Sequence, residues 1–335
     1  MTWSRPQQAS TAVGFSDLPL VWVLTGREKI VMTEKSESTS QVATVDSAPT
    51  IGAPVPVSAL PAQEPFYRIT PLQGFLDLNL REIWNYKGLV YFLVWRDIKV
   101  RYKQTAIGAA WAILQPFMTM VIFSLFFGKL AHIPSEGLPY PIFYYTALLP
   151  WTYFLGALQN ATNTIVENQR VVTKVFFPRV ILPLSAVLSG LLDLGISFLM
   201  FVVLMFYYHI GFGWTAVLLP AFSLLAVMTA FGVGLWLSAL NAIYRDVRYV
   251  MPFLIQFWMF ASPVAYPSSL VPERWRWLYG LNPMTGVIEG FRWALTGHGK
   301  PPGSLLFASV GIVVVILCAG LVYFQRMETT IADVV

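Results

Sequence analysis

Long uncharged stretches divide most of the sequence into segments of membrane-spanning length. Four of them contain no Asp, Glu, Lys or Arg: 104–128, 137–166, 249–272 and 301–325. A fifth and longer stretch, 180–244, contains only Asp193 and is interrupted by a Gly-rich break at 209–214. An unpaired charge at the centre of a bilayer costs about 2.5–3.5 kcal/mol, so such stretches are typical of transmembrane helices. The pattern predicts six spans, at 106–128, 141–165, 180–207, 215–240, 249–266 and 304–325.

The segment before the first predicted span, residues 81–105, combines positive charge with aromatic side chains. Its apolar run from Leu89 to Trp95 is too short to cross about 30 Å of hydrocarbon. Basic and aromatic residues together favour the headgroup boundary, so we expect an N-terminal amphipathic interfacial helix here. A soluble amphipathic helix is the alternative interpretation.

Proline and glycine interrupt the segment between the fifth and sixth predicted spans. Its uncharged centre, residues 277–288, is too short to cross a membrane and is flanked or broken by Pro272, Gly280, Pro283 and Gly286. Backbone of this kind is tolerated at membrane depth only where protein covers it. We therefore expect short re-entrant or interfacial helices here, and an all-α integral membrane fold overall.

The N-terminal region differs in composition from the rest of the chain. Residues 34–65 are rich in Ser, Thr, Ala and Pro and show no apolar periodicity, which is typical of segments that cannot form a packed core. We expect a disordered extension at 1–65, followed by a transmembrane domain at 66–335. Met32 is an alternative translation start.

Composition excludes an ordinary soluble protein and indicates an orientation. Charged residues are 12% of the chain and hydrophobic residues 56%, and the mean hydropathy is +0.61. If the amino terminus is inside, twelve Lys and Arg residues flank the spans on the inner side and five on the outer. The positive-inside rule therefore predicts a multi-pass protein of the cytoplasmic (inner) membrane with both termini cytoplasmic. The net charge of +5 is explained by this topology, so we expect no nucleic-acid partner.

The sequence lacks the groups that catalysis or metal binding would need. One cysteine and three scattered histidines provide no metal cluster, and we expect neither catalytic residues nor a metal site. Because no Gly-x-x-x-x-Gly-Lys-Ser/Thr motif occurs, we expect no cofactor in this chain, with ATP and Mg²⁺ bound by a partner. Asp193 could act as a proton carrier, but a hydrogen bond to a Ser or Tyr on a neighbouring helix is the favoured interpretation.

A short charged loop on the predicted inner side, residues 167–179, is a candidate docking element. Val171, Val172, Val175 and Phe176 fall at helical spacing and could insert into a groove on a cytosolic partner. The charges of Glu167, Arg170 and Lys174 would then form the rim of the contact. A loop resting on lipid headgroups is the alternative.

Five segments resemble the permease subunits of ABC exporters of polysaccharides and polyol phosphates, including O-antigen and teichoic acid exporters. In chain order they are WRDIKVRYKQTAIGAAWAILQP (95–116), NQRVVTKVFFPRVILP (168–183), NAIYRDV (241–247), SPVAYP (262–267) and NPMTGVIEGFR (282–292). Together they cover about residues 80–326. The resemblance implies a homodimer that works with two copies of a separate P-loop ATPase and moves a lipid-linked polysaccharide through a channel between the two permeases.

The resemblance also implies roles for particular residues. The ATPase-coupling element would comprise Glu167, Asn168, Arg170, Val171, Val172, Lys174 and Val175. The entrance for the lipid phosphate would comprise Arg96, Arg101 and Lys103, although anchoring to anionic lipids explains the same charges. Since aromatic faces suit sugars, the glycan channel would be lined by Tyr144, Tyr145, Trp151, Tyr153, Phe154, Gln256, Trp258, Phe260 and Tyr266, although such residues also form ordinary interfacial belts.

Two other functions remain open on the sequence alone. An integral membrane enzyme of glycolipid assembly would need clustered acidic residues, and Glu167 and Asp246 are far apart in the chain. A proton-driven flippase for lipid-linked oligosaccharide would depend on Asp193.

Overall fold

The computed structural model describes residues 84–103, 108–175, 177–297 and 303–334. The predicted extension at 1–65 and its boundary lie outside the described residues, as does Phe176. The described residues form helices and loops without β-strands. In chain order the α-helices are α1 (Lys87–Lys103), α2 (Ala110–Phe123), α3 (Tyr140–Glu167), α4 (Gln169–Val172), α5 (Ile181–Tyr207), α6 (Leu219–Ile243), α7 (Val247–Phe260), α8 (Glu273–Gly280), α9 (Pro283–Thr296) and α10 (Ser304–Val334).

Four helical segments of the described chain are long and apolar enough to cross a membrane. They are Ala110–Leu130, Ile181–Tyr207, Trp214–Ile243 and Leu305–Glu328. The first is α2 continued by a π-helical turn, and the third is α6 preceded by a 3₁₀ turn. These segments coincide with the first, third, fourth and sixth predicted spans.

The second and fifth predicted spans are not among these candidates, so six spans are not confirmed. The α3 helix has 28 residues but carries Thr, Asn, Gln and Tyr side chains that lower its hydropathy. The α7 helix has only 14 residues, about 21 Å at 1.5 Å per residue. The prediction of a helix at 249–266 was therefore too long, because Pro263 and Pro267 disfavour helical backbone in the residues before them.

The α3 helix forms the centre of the bundle. It packs against α2, α5, α6, α7 and α9, and most of its side chains are buried. Aromatic contacts join it to its neighbours: Tyr145 stacks on Phe201 of α5 at 6.2 Å, and Phe154 meets Trp258 of α7 edge-on at 5.1 Å between ring centroids. A helix that is apolar around most of its circumference is stable only in such a position.

Two short helices occupy the segment between α7 and α10. The side chain of Asn282 caps α9 by accepting a hydrogen bond from the Met284 amide at 3.0 Å, and Pro283 fills its first turn. Gly297 ends α9 in the left-handed conformation, with a φ of 64°. Residues of α9 are mostly buried, whereas α8 is mostly exposed. The interfacial or re-entrant placement of these helices stays a prediction.

Candidate functional site

A cavity of about 630 Å³ lies between α1, α2, α3 and α5. We call it the polar cavity, because charged, amide and hydroxyl side chains contribute to its lining. Its polar and aromatic lining comprises Arg101, Tyr102, Trp111, Gln115, Thr152, Tyr153, Gln159, Asn160, Asp193 and Ser197. The volume lies in the range of ordinary ligand sites.

Three side-chain amides in the polar cavity make no hydrogen bond to any other described residue. They belong to Gln115 on α2 and to Gln159 and Asn160 on α3. An amide facing hydrocarbon with no partner would cost several kcal/mol, so these groups require water or a polar ligand. Because each amide both donates and accepts hydrogen bonds, the lining matches the hydroxyl groups of a sugar.

A charged cluster forms the wall of the polar cavity where α1 crosses α5. Arg101 forms an ion pair with Asp193 and also donates to Ser189 Oγ at 3.4 Å, while the Tyr102 hydroxyl donates to the second Asp193 oxygen. Burial of the phenol, and after it the contact with Asp193, raises the pKa of Tyr102 to about 12. The phenol therefore keeps its proton, and the Asp193 carboxylate is held by one cation and one donor. The hydrogen bond from Tyr102 agrees with the favoured interpretation, in which Asp193 bonds to a Ser or Tyr of a neighbouring helix. The sequence did not predict the ion pair with Arg101.

Hydrogen bonds between helices fix the shape of the polar cavity. Ser197 Oγ on α5 donates to the Ala112 carbonyl of α2 at 2.8 Å. The Tyr153 hydroxyl donates to the Val187 carbonyl at 3.3 Å, which joins α3 to α5. A glycine permits this approach, since a Cβ on Gly190 would lie 3.2 Å from the Tyr153 ring. Each bond ties one wall of the cavity to the next.

The three predicted entrance residues have different surroundings. Arg96 pairs with its neighbour Asp97 at 2.8 Å, and Lys103 is exposed at the end of α1. Arg101 is the one of the three that lines the polar cavity, and it is bound to Asp193. Their joint role at an entrance for the lipid phosphate stays a prediction.

The predicted coupling segment folds as the end of α3, the short helix α4 and the turn after it. Asn168 donates to the Thr164 carbonyl at 2.8 Å and so closes the end of α3. Val172 is only 6% exposed and packs with Leu93 of α1 and with Phe177, Ile181 and Leu182. In this conformation its own chain covers Val172, which the sequence predicted would insert into a partner.

The rest of the coupling segment is available at the surface. Glu167, Arg170, Lys174 and Val175 are exposed, whereas Val171 is half-buried against α1. The segment is also fixed on its C-terminal side, where the Arg179 amide donates to Glu328 Oε1 of α10 at 3.1 Å. The exposed charged side chains of the segment are thus held in place by the buried Val172 and by the contact of Arg179 with α10.

Most of the predicted channel aromatics on α3 lie in the core of the bundle. The side chains of Tyr144, Tyr145, Trp151 and Phe154 are buried and do not line the polar cavity. Tyr153 does line it. In this conformation the four buried rings are covered by the chain itself, and their assignment to a channel stays a prediction.

The predicted channel residues around α7 are more exposed. Gln256 and Phe260 are exposed, whereas Trp258 and Tyr266 are half-buried. Trp258 Nε1 donates to Asn282 Oδ1 at 2.9 Å, and the Tyr266 hydroxyl donates to the Phe260 carbonyl at 2.9 Å. These four residues do not contribute to the polar cavity.

Sequence reasoning missed the amide and hydroxyl residues of the polar cavity. On α3 they are Thr152, Gln159 and Asn160, with Gly156 between them. Their spacing of four, three and one residues places all of them on one helical face. Polar residues repeating along one face of an otherwise apolar span were the signal that could have identified this wall.

Comparisons of the sequence with known proteins give one matching family and several named relatives. The sequence model of the ABC-2 type transporter family matches residues 88–296. The chain is 29% identical over 257 residues to the O-antigen export system permease protein RfbA of Myxococcus xanthus, across 76% of this chain and 98% of that relative. It is 25% identical over 248 residues to the protein of the same name from Klebsiella pneumoniae, covering 71% and 92%. It is 24% identical over 255 residues to the polysialic acid transport protein KpsM of Escherichia coli, covering 74% and 96%.

Proposed function

The chain belongs to the ABC-2 type transporter family, and from this premise we propose that it is the transmembrane subunit of an ATP-driven exporter of lipid-linked polysaccharide. Its relatives are named as export permeases and a transport protein, so the chain is a transport subunit rather than an enzyme. The cargo we propose is an O-antigen-like glycan.

The unpaired amides of the polar cavity carry this proposal. Gln115, Gln159 and Asn160 offer hydrogen bonds to hydroxyl groups, and Trp111 adds an aromatic face on the same wall. Among the described lining residues the charged ones are Arg101 and Asp193, and they form an ion pair with each other. We therefore expect neither charge to bind a neutral sugar tightly. Such a surface suits a chain that must slide past rather than bind firmly.

The energy for export would come from a separate ATPase that docks on the coupling segment. We assign the docking contact to the exposed side chains of Glu167, Arg170, Lys174 and Val175. Asn168, Val171 and Val172 support this surface from beneath, through the helix cap and the contact with α1. Two ATPase copies, each binding ATP and Mg²⁺, would serve two copies of this chain.

A second copy of the chain would complete the conduit. Trp111 and Gln115 line the polar cavity and are also exposed, so this wall is open on the outer face of α2. Further along α2, Met118 and Ile122 are exposed as well. A homodimer packed across α2 would enclose the cavity and leave a path between the two copies.

We further propose an inner-membrane topology of six spans with both termini cytoplasmic. The α3 helix is long enough to cross, and its polar residues are sheltered by its neighbours. The α7 helix would cross together with the chain that follows it. Labelling of single cysteines placed at 174 and 274, in a background with Cys318→Ser, tests this: only position 274 should react from outside intact cells.

Reconstitution with the partner ATPase tests the proposed function. Inside-out vesicles containing both proteins should move a lipid-linked glycan into the lumen when ATP is supplied. A partner with its P-loop lysine replaced should fail, and an uncoupler should have no effect. Movement that needs the proton gradient but not ATP would favour the proton-driven flippase, and chemical conversion of the glycolipid without movement would favour the enzyme.

A further inference from the structure

A second cavity of about 700 Å³ lies between α7, α8 and the start of α9. We call it the apolar pocket. Its walls include Leu254, Phe257 and Trp258 of α7, and Val271, Trp275 and Leu278 in and before α8. The pocket shares no lining residue with the polar cavity.

The side-chain amide of Asn282, at the base of the apolar pocket, is already hydrogen-bonded. Asn282 Oδ1 accepts from Trp258 Nε1 at 2.9 Å and from the Met284 amide at 3.0 Å. Asn282 Nδ2 donates to the Ala261 carbonyl at 3.0 Å and to Ser262 Oγ at 2.9 Å. The other side chains of the lining are mostly apolar, so a hydrocarbon chain fits this pocket better than a sugar does.

Two arginines of α8 lie on either side of the helix face that carries Trp275 and Leu278, and each contacts a lining residue. Arg276 Nε donates to the Val271 carbonyl at 3.3 Å, and Arg274 lies 5.8 Å from the centre of the Trp275 ring. The nearby Glu273, 3.7 Å from Arg276, has a side chain that is 90% exposed, so its attraction is weakened by solvent. The two guanidinium groups retain donors suited to a phosphate.

The α8 helix has the character of an interfacial element. Trp275, Trp277 and Leu278 are exposed next to the two arginines, and this mixture is typical of helices lying at the level of lipid headgroups. In the proposed topology α8 faces the outer leaflet. Hydrocarbon chains and phosphate groups are therefore both within reach.

We propose that the apolar pocket and the rim of α8 form a binding site for an anionic glycerophospholipid. One acyl chain occupies the pocket between α7 and α8, and the phosphate lies at the rim, where Arg274 and Arg276 supply positive charge from the two sides of α8. The site shares no lining residue with the polar cavity, so it is separate from the wall that we assign to the glycan.

Native mass spectrometry of the purified full-length protein tests this site. The probes are phosphatidylglycerol and phosphatidylcholine with identical acyl chains, added to delipidated protein. Wild type should retain one phosphatidylglycerol per chain and prefer it over phosphatidylcholine by on the order of tenfold, as expected for two cations at a membrane surface. Leu278→Trp, which fills the pocket, should lose retention of both lipids, and R274Q/R276Q should lose only the preference.

Matched controls separate this site from general lipid binding. The control for Leu278→Trp is Leu199→Trp, which adds the same ring to an exposed position of α5. The control for R274Q/R276Q is Arg248→Gln, which removes an exposed arginine distant in the chain from α8. Both control variants should bind the two lipids as wild type does. Equal retention by wild type and Leu278→Trp would overturn the proposal, as would an unchanged preference in R274Q/R276Q. A change from dimer to monomer in Leu278→Trp without any change in lipid retention would instead identify the pocket as a contact between copies and overturn the lipid assignment.

Discussion

The helices α3 and α7 are both rich in aromatic residues, and both were predicted to span the membrane and to line a glycan channel. The structure places them in opposite environments. The rings of Tyr145 and Phe154 on α3 are 0% exposed, whereas Phe253 on α7 is 74% exposed. An aromatic residue in a membrane helix therefore identifies neither a pore nor a core by itself, because the neighbouring helices decide which surface it meets.

The difference follows from the number of neighbours that each helix has. α3 is surrounded by five other helices, so its large rings fill interior space. α7 is short and packs mainly through Met251 and Ile255, which leaves most of its rings facing outward. Residues of one type in the two settings should consequently respond differently to the same substitution.

The largest contrast is expected between Phe154→Ala on α3 and Phe253→Ala on α7. Removing a buried phenyl ring leaves a cavity and costs about 3–5 kcal/mol of stability, and Phe154 would also lose its contact with Trp258. Phe253→Ala, which removes an exposed ring, should lower the stability by less than about 0.5 kcal/mol. Thermal unfolding of the two variants in detergent measures both effects, and equal losses would show that α3 is not the centre of the fold.

The sequence predicted the helical class and four spans because an uncharged stretch of about 20 residues has few other uses. The prediction missed the end of α7 at Phe260 because the uncharged run continues past Pro263 and Pro267 to Pro272, and the length of that run outweighed the two prolines. The spacing of Thr152, Gln159 and Asn160 puts these residues on one face of α3, but it does not say which face of the helix meets a cavity. Choosing between the aromatic face and the face carrying Gln159 and Asn160 requires knowing where α2 and α5 pack.

A second matched pair lies at the inner end of α3, in the coupling segment. Val172 is buried against α1, and Val175 is 57% exposed. Val172→Asp should lower the stability by about 1–3 kcal/mol through burial of a polar group, and Val175→Asp should not. If Val175 contacts the ATPase, Val175→Asp should instead reduce co-purification of the partner from correctly folded protein.

Thr173→Asp is the control for this pair, since Thr173 is an exposed neighbour. Three measurements are needed: thermal stability, recovery of the ATPase and stimulated ATP hydrolysis. Retention of the partner and of full hydrolysis in both Val175→Asp and Thr173→Asp would place the docking surface elsewhere.

The ion pair between Arg101 of α1 and Asp193 of α5 can be tested by comparing the stability of two single variants with that of the double variant. Arg101→Gln and Asp193→Asn should each be destabilising, since each leaves one charge in the wall without its partner. The double variant should recover part of the loss, with a coupling energy of about 0.5–3 kcal/mol. Export by Asp193→Asn should continue at any pH gradient, and abolished export in a correctly folded Asn variant would favour proton coupling.

The smallest effects are expected from substitutions of side-chain amides on α3 and α7. Gln159 and Asn160 face the polar cavity, while Gln256 lies on the exposed side of α7. A hydrogen bond to a ligand contributes about 0.5–1.5 kcal/mol, so Gln159→Leu and Asn160→Leu should each raise the KM for the glycan by about two- to tenfold. None of the three substitutions removes a hydrogen bond within the described chain, so stability should change little. Initial rates of ATP-driven uptake at several glycan concentrations provide the measurement. A large KM effect from Gln256→Leu with none from the two α3 variants would move the glycan path to α7, as the aromatic pattern first suggested.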